Sequence, residues 1–125
     1  MKLEHVALSI KDRDEIERFY QDILGMTMIR SFQMDKSLAF DIFRLTESPE
    51  VFLLQKDELQ LEIFLSPQKH PHGFDHICIS TAQRDALVEK AKQNSYRVFR
   101  LKREHSDLVF ISDMSGNTFE VKQYI

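Results

Sequence analysis

The sequence predicts an α+β fold of two tandem βαβββ modules, each a curved mixed sheet with one helix. Three observations carry this. Apolar residues alternate with a period of two in most segments and switch to a helical period of about 3.6 in two places. The whole pattern restarts beyond residue 72. The restart repeats the opening residues at a constant offset of 71 positions.

In the first module, Leu3 to Ile10 alternates, with Val6, Leu8 and Ile10 on one face and His5, Ala7 and Ser9 on the other, as a half-buried strand does. From Arg13 the period becomes helical: Ile16, Phe19, Tyr20, Ile23 and Leu24 share a stripe, and Gly25 ends it. Met26 to Met34 and Ser37 to Leu45 read as strands joined by an Asp35-Lys36 turn, and Ser48-Pro49 marks a break. Val51 to Gln55 and Leu59 to Leu65 form a hairpin around Lys56-Asp57-Glu58. Ser66 to Gly73, with two of the three prolines, is the linker. In the second module Phe74 to Ser80 is a strand, Arg84 to Asn94 a helix, and Tyr96 to Arg103, Leu108 to Ser112 and Thr118 to Gln123 are strands. One domain of 125 residues is expected, with module 1 near 1–66, the linker at 66–73 and module 2 near 72–125.

The internal repeat is specific. Leu3-Glu4-His5-Val6-Ala7-Leu8 matches Phe74-Asp75-His76-Ile77-Cys78-Ile79, and Arg13-Asp14 matches Arg84-Asp85 at the same offset. Leu61-Glu62-Ile63 matches Phe119-Glu120-Val121. His and Glu are 57 positions apart in the first module and 44 in the second. The excess of 13 falls around Ser37 to Glu50, as an extra strand or one long bent strand.

Composition narrows the function. Seventeen Lys and Arg against twenty Asp and Glu give a net charge of −3, without the basic field that nucleic-acid binding needs. No apolar run approaches the ~20 residues that span a bilayer, and the N-terminus reads straight into a strand. The single cysteine excludes an internal disulfide and fits a reducing, cytoplasmic location.

Each module places a His on its first strand and a Glu on its last, opposite apolar neighbours that suit the helix side. If those strands are adjacent, His5 and Glu62, and His76 and Glu120, reach a common cation. Two imidazoles and two carboxylates suit a divalent metal, Ni²⁺, Zn²⁺, Co²⁺, Fe²⁺ or Mn²⁺, with positions left for substrate. Taken singly, each of these residues is an ordinary strand residue; their recurrence at equivalent places of a duplicated unit favours a site. Arg30, Arg44 and Arg100 are candidate anchors for an anionic or carbonyl substrate, Arg being suited to bidentate carboxylates. Cys78 lines the pocket if His76 is a ligand, and reads as a small buried hydrophobe rather than a nucleophile. Phe32, Phe40, Phe43, Phe64 and Phe110 are core or pocket-wall residues. His70 and His72 read as loop residues.

The repeat, the opening Leu3-Glu4-His5-Val6, the Phe19-Tyr20 … Leu24-Gly25-Met26 helix end and the Asp113 … Gly116-Asn117 … Glu120 turn resemble the vicinal oxygen chelate superfamily. This group holds glyoxalase I, the bleomycin- and fosfomycin-resistance proteins and the extradiol dioxygenases. Leu24 to Arg30, followed by Ser37-Leu38-Ala39-Phe40, looks most like glyoxalase I. The resemblance implies the glyoxalase/bleomycin-resistance fold, His5, Glu62, His76 and Glu120 as the metal ligands, and a homodimer with sites between modules, within or across chains. It implies a metal-dependent lyase or isomerase: the metal chelates vicinal oxygens, and Glu120 or Glu62 moves a proton through an enediolate. Two alternatives stand beside it: a drug-sequestering binding protein, and, ranked last, a ring-cleaving dioxygenase. The final turn lacks the proline usual in glyoxalases, and Glu104-His105-Ser106-Asp107 stands where glutathione-dependent members often have a Gly-rich loop.

Overall fold

A computed structural model of the protein describes residues 4–67 and 76–124. The expected linker and its His70 and His72 lie almost wholly outside the described residues, as do Leu3, Phe74 and Asp75. The chain divides into two compact units, Met1–Pro71 and His72–Ile125.

In the first unit the order is β1 (Val6–Ile10), a π-helix (Ile16–Gln21), β2 (Thr27–Gln33), α1 (Lys36–Phe43), β3 (Glu50–Lys56) and β4 (Leu59–Leu65). The sheet runs β1-β4-β3-β2, so the first and last strands lie side by side and parallel, and the other pairs are antiparallel. The second unit repeats the plan: β5 (Ile77–Thr81), α2 (Arg84–Gln93), β6 (Arg97–Leu101), β7 (Leu108–Ser112) and β8 (Thr118–Gln123), in sheet order β5-β8-β7-β6. These two four-stranded mixed sheets are the tandem βαβββ modules that the repeat implied.

Strand alternation gives each sheet two different faces. In unit 1 one face carries Phe52, Leu54, Leu61 and Ile63, all fully buried. The chain entering the π-helix covers this face: the Arg13 guanidinium lies 5.4 Å above the Phe52 ring and pairs with Glu50. Ile16, Phe19 and Tyr20 bury the helix's apolar side. The helix is wound with i→i−5 bonds, Asp22 to Glu17 and Leu24 to Phe19. Gly25 then turns the chain at φ +71, where a side chain is strained and a Cβ would lie 2.8 Å from Lys56 Nζ. In unit 2, α2 packs on β6 and β8 and buries Leu87, Val88 and Ala91, while Val109, Ile111, Phe119 and Val121 form the buried face of the sheet.

The structure corrects one element. Ser37 to Leu45, expected as a strand, is the helix α1. Asp35 caps it, its carboxylate accepting from the Leu38 N–H at 3.2 Å, and Arg44 ends it at φ 58. The apolar alternation of Leu38, Phe40 and Ile42 that read as a strand is surface: these side chains are 53%, 49% and 61% exposed. Only Ala39 is buried, against Leu45, Val51 and Phe64, with Phe32 and Met34 beside it. Helix α1 therefore covers part of the other face of the unit 1 sheet. Residues 34–49 connect β2 to β3, whereas residues 102–107 suffice between β6 and β7, and this accounts for most of the longer first repeat.

Candidate metal centre

In each sheet the face opposite the buried one just described carries a candidate glutamate. In unit 1 Ala7 pairs with Glu62 across the parallel β1–β4 ladder, and His5 precedes Ala7 by one pleat. His5 Nε2 stands 3.2 Å from Glu62 Oε2. In unit 2 Cys78 pairs with Glu120 across β5–β8, His76 precedes it by one pleat, and His76 Nε2 stands 3.5 Å from Glu120 Oε2. Cys78 is the residue 71 positions after Ala7, so the two pairs occupy the same place in the repeat.

Each glutamate is held by a strand on either side, Glu62 between Ala7 and Leu53, Glu120 between Cys78 and Phe110. The imidazoles are more open. His5 and His76 side chains are 43% and 42% exposed, against 25% and 18% for their carboxylate partners. A pair so placed is firmly oriented yet reachable by an ion. The Phe110 ring meets the His76 imidazole edge to face, centroids 5.5 Å apart, and fixes its plane.

The donor spacing fits a metal. Bonds of about 2.0–2.2 Å put neighbouring ligands of one ion about 2.8–3.6 Å apart, from octahedral to tetrahedral angles. Both His–Glu separations fall in that range. Nitrogen and carboxylate oxygen together suit a borderline divalent ion. Within each unit the donors come as a pair; among the described residues no group of three or more His, Cys, Asp or Glu stands ready to hold an ion.

The other candidate residues are spread differently. Arg30 is on β2, paired with Leu53, which pairs in turn with Glu62. It therefore shares the Glu62 face, and its guanidinium rests 5.1 Å over the Phe32 ring. Arg44 closes α1 and lies 5.4 Å over Phe40. Arg100 pairs with Val109, on the face of the unit 2 sheet opposite Glu120. There it bonds Asp85 of α2 at 3.1 Å and Asp107 at 2.8 Å, which ties its charge into the scaffold. Cys78, expected as a small buried hydrophobe, is exposed on the Glu120 face. Local desolvation and then the neighbouring Glu120 push its thiol pKa above the ordinary value, which keeps it a neutral donor and a poor nucleophile.

Phe99 went unnoticed in the sequence. It pairs with Phe110, itself paired with Glu120, and is half exposed on the Glu120 face. The signal was its alternation with Val98 and Arg100 on β6. Phe110 joins it at 6.5 Å. Of the other phenylalanines, Phe32 and Phe64 belong to the cluster beneath α1, and Phe43 packs edge-on to Phe64.

Comparison with known proteins decides the family. The sequence profile of the glyoxalase/bleomycin resistance protein/dioxygenase superfamily matches residues 4–110, most of the chain. The chain belongs to this superfamily. Among curated relatives, the lactoylglutathione lyase GLX1 of Arabidopsis thaliana is 30% identical over 95% of this chain, which spans only 43% of that protein. The lactoylglutathione lyase of Haemophilus influenzae is 27% identical over 96% of this chain and 90% of its own length. Solved structures share the superfamily fold. A glyoxalase family protein of Enterococcus faecalis has a TM-score of 0.74 at 18% identity, covering 97% of this chain and 96% of its own. The fosfomycin resistance protein FosX of Listeria monocytogenes, as a variant complexed with Mn(II) and 1S,2S-dihydroxypropylphosphonic acid, has a TM-score of 0.75 at 18% identity, covering 97% and 90%. Among the described residues no helix is long and apolar enough to cross a membrane.

Proposed function

We propose that the protein is a metal-dependent, glyoxalase-type lyase or isomerase. In this reading His5, Glu62, His76 and Glu120 are four ligands of one divalent ion. The observation that carries it is the duplicated His–Glu pair, at the same register position of both units and with donor atoms at the spacing of two ligands of one ion. The names of the curated relatives, both lactoylglutathione lyases, support a carbon-centred proton transfer. The Mn(II) in the FosX complex supports a divalent ion in this fold.

When bound, the ion would supply Lewis-acid polarisation of a substrate carbonyl through vicinal oxygens, which acidifies the adjacent C–H. The chain's own residues do the rest. Glu62 or Glu120 accepts the α-proton and returns it to the neighbouring carbon, since a carboxylate on a strand can move by a rotamer while its backbone stays fixed. Phe110 holds the His76 imidazole, and His5 stands one residue before β1. The half-exposed Phe99 and Phe110 offer an apolar wall that excludes water from the reacting carbon.

Metal analysis of protein purified without added metal, followed by equilibrium dialysis, tests the centre. One divalent ion per chain is expected, with affinity falling roughly 10–100-fold or more in His5→Ala and in His76→Ala. No bindable ion would leave the drug-sequestering reading in its place. For the reaction, Glu62→Gln and Glu120→Gln should retain the folded circular dichroism spectrum. At least one should lose roughly 10²–10⁴ in turnover of a 2-oxoaldehyde hemithioacetal. Full activity in both variants would refute the base assignment.

A further inference from the structure

The two sheets carry equivalent rows of four positions across the faces of Glu62 and Glu120, and their outer members differ informatively. In unit 1 the row is Ala7, Glu62, Leu53 and Arg30; in unit 2 it is Cys78, Glu120, Phe110 and Phe99. Strands spaced about 4.8 Å put the outer residue about 10 Å from the glutamate along the sheet. Thus unit 1 sets a guanidinium where unit 2 sets an aromatic ring.

The state of that guanidinium matters. Arg13, Arg84 and Arg100 pair with carboxylates. Among the described residues Arg30 has no carboxylate partner; it rests over Phe32, two positions along the same face of β2. A cation held on an aromatic ring keeps its charge and its hydrogen-bond donors for a ligand, at less ordering cost than a free side chain. The break in strand register between Met28 and Arg30 matters too. Without that bulge the alternation would turn Arg30 to the other face, so the irregularity aims it at the Glu62 side.

We infer that Arg30 is a specificity-determining residue that selects substrates carrying a carboxylate or similar anion some 5–10 Å from the metal-chelating oxygens. This rests on the metal-centre reading above, and goes beyond it by naming the substrate class and the residue that recognises it. Phe99, at the matching place in unit 2, carries no charge, so at this row position unit 1 alone offers a cation.

Hydroxamates test this because they chelate a metal through two adjacent oxygens without turning over. Binding of benzohydroxamate and of 4-carboxybenzohydroxamate to the Mn²⁺-loaded protein is measured by calorimetry and by the change in water-proton relaxation. The wild type is expected to favour the carboxylated probe by roughly tenfold. Arg30→Gln should abolish that preference, and Arg30→Lys should keep part of it. Arg100→Gln, on the opposite face, should keep all of it. Equal affinities in the wild type, or a preference that survives Arg30→Gln, would overturn the inference. Failure of both probes to bind a protein with demonstrated Mn²⁺ would overturn the chelating centre itself, and the inference with it.

Discussion

Arg100 shows how one residue's face decides its chemistry. Its guanidinium bridges Asp85 of α2 and Asp107 before β7, so it ties helix, strand and loop together. Bonding to Arg100 holds the Asp107 carboxyl below its ordinary value of 3.8. A depressed carboxylate stabilises the fold fully above its unfolded pKa, and loses that contribution as pH falls through the folded value. Wild-type protein should therefore shed stability on acidification below about pH 4, and Arg100→Gln should show a shallower loss there. Thermal unfolding at stepped pH reads this; parallel acid profiles would refute it. The sequence offered this arginine as a substrate anchor without its face, because a charge on a strand says nothing of which face it takes. The two His–Glu pairs were legible for the opposite reason: His5 and His76, Glu62 and Glu120 each have a counterpart in the repeat, and the parallel pairing of outer strands brings each His to its Glu. Distance information for Arg30 and Phe99 was absent from the sequence, because a register break and a third strand lie between them and the glutamates.

At the scale of elements, β4, β7 and β8 fall where the alternation put them, and the other strands start or end within a few residues of it. The exception, α1, has a physical cause. Its Leu38, Phe40 and Ile42 alternate like a strand, and a short helix that buries little more than Ala39 leaves no strong 3.6-residue stripe to read. Local chemistry decides instead, through the Asp35 cap and the left-handed Arg44. Asp35→Ala should cost about 1 kcal/mol of stability, as the loss of an N-cap does. Ala39→Asp, which would bury a carboxylate against Val51 and Phe64, should cost several times more. Urea unfolding separates the two. A neutral Asp35→Ala would mean that packing, and not the cap, holds the helix over the sheet.

For the whole molecule, the proposed four-ligand centre leaves one choice open to a decisive test: it can be completed within one chain or by two chains of a dimer. In that proposal each unit supplies half the ligands, so a variant such as His5→Ala/Glu62→Gln destroys one half and His76→Ala/Glu120→Gln the other. Within one chain, every site in a mixture of the two variants lacks half its ligands, and activity stays lost. Across a twofold dimer, a mixed dimer pairs the intact first unit of one variant with the intact second unit of the other, and its other site has no ligands. Half the dimers are mixed after unfolding and reassembly, and each has one good site, so about a quarter of wild-type activity and metal binding should return. That recovery is expected if the homodimer implied by the family resemblance builds its sites across the interface. Complete inactivity of a mixture whose mixed dimers are verified by mass would place the centre within each chain.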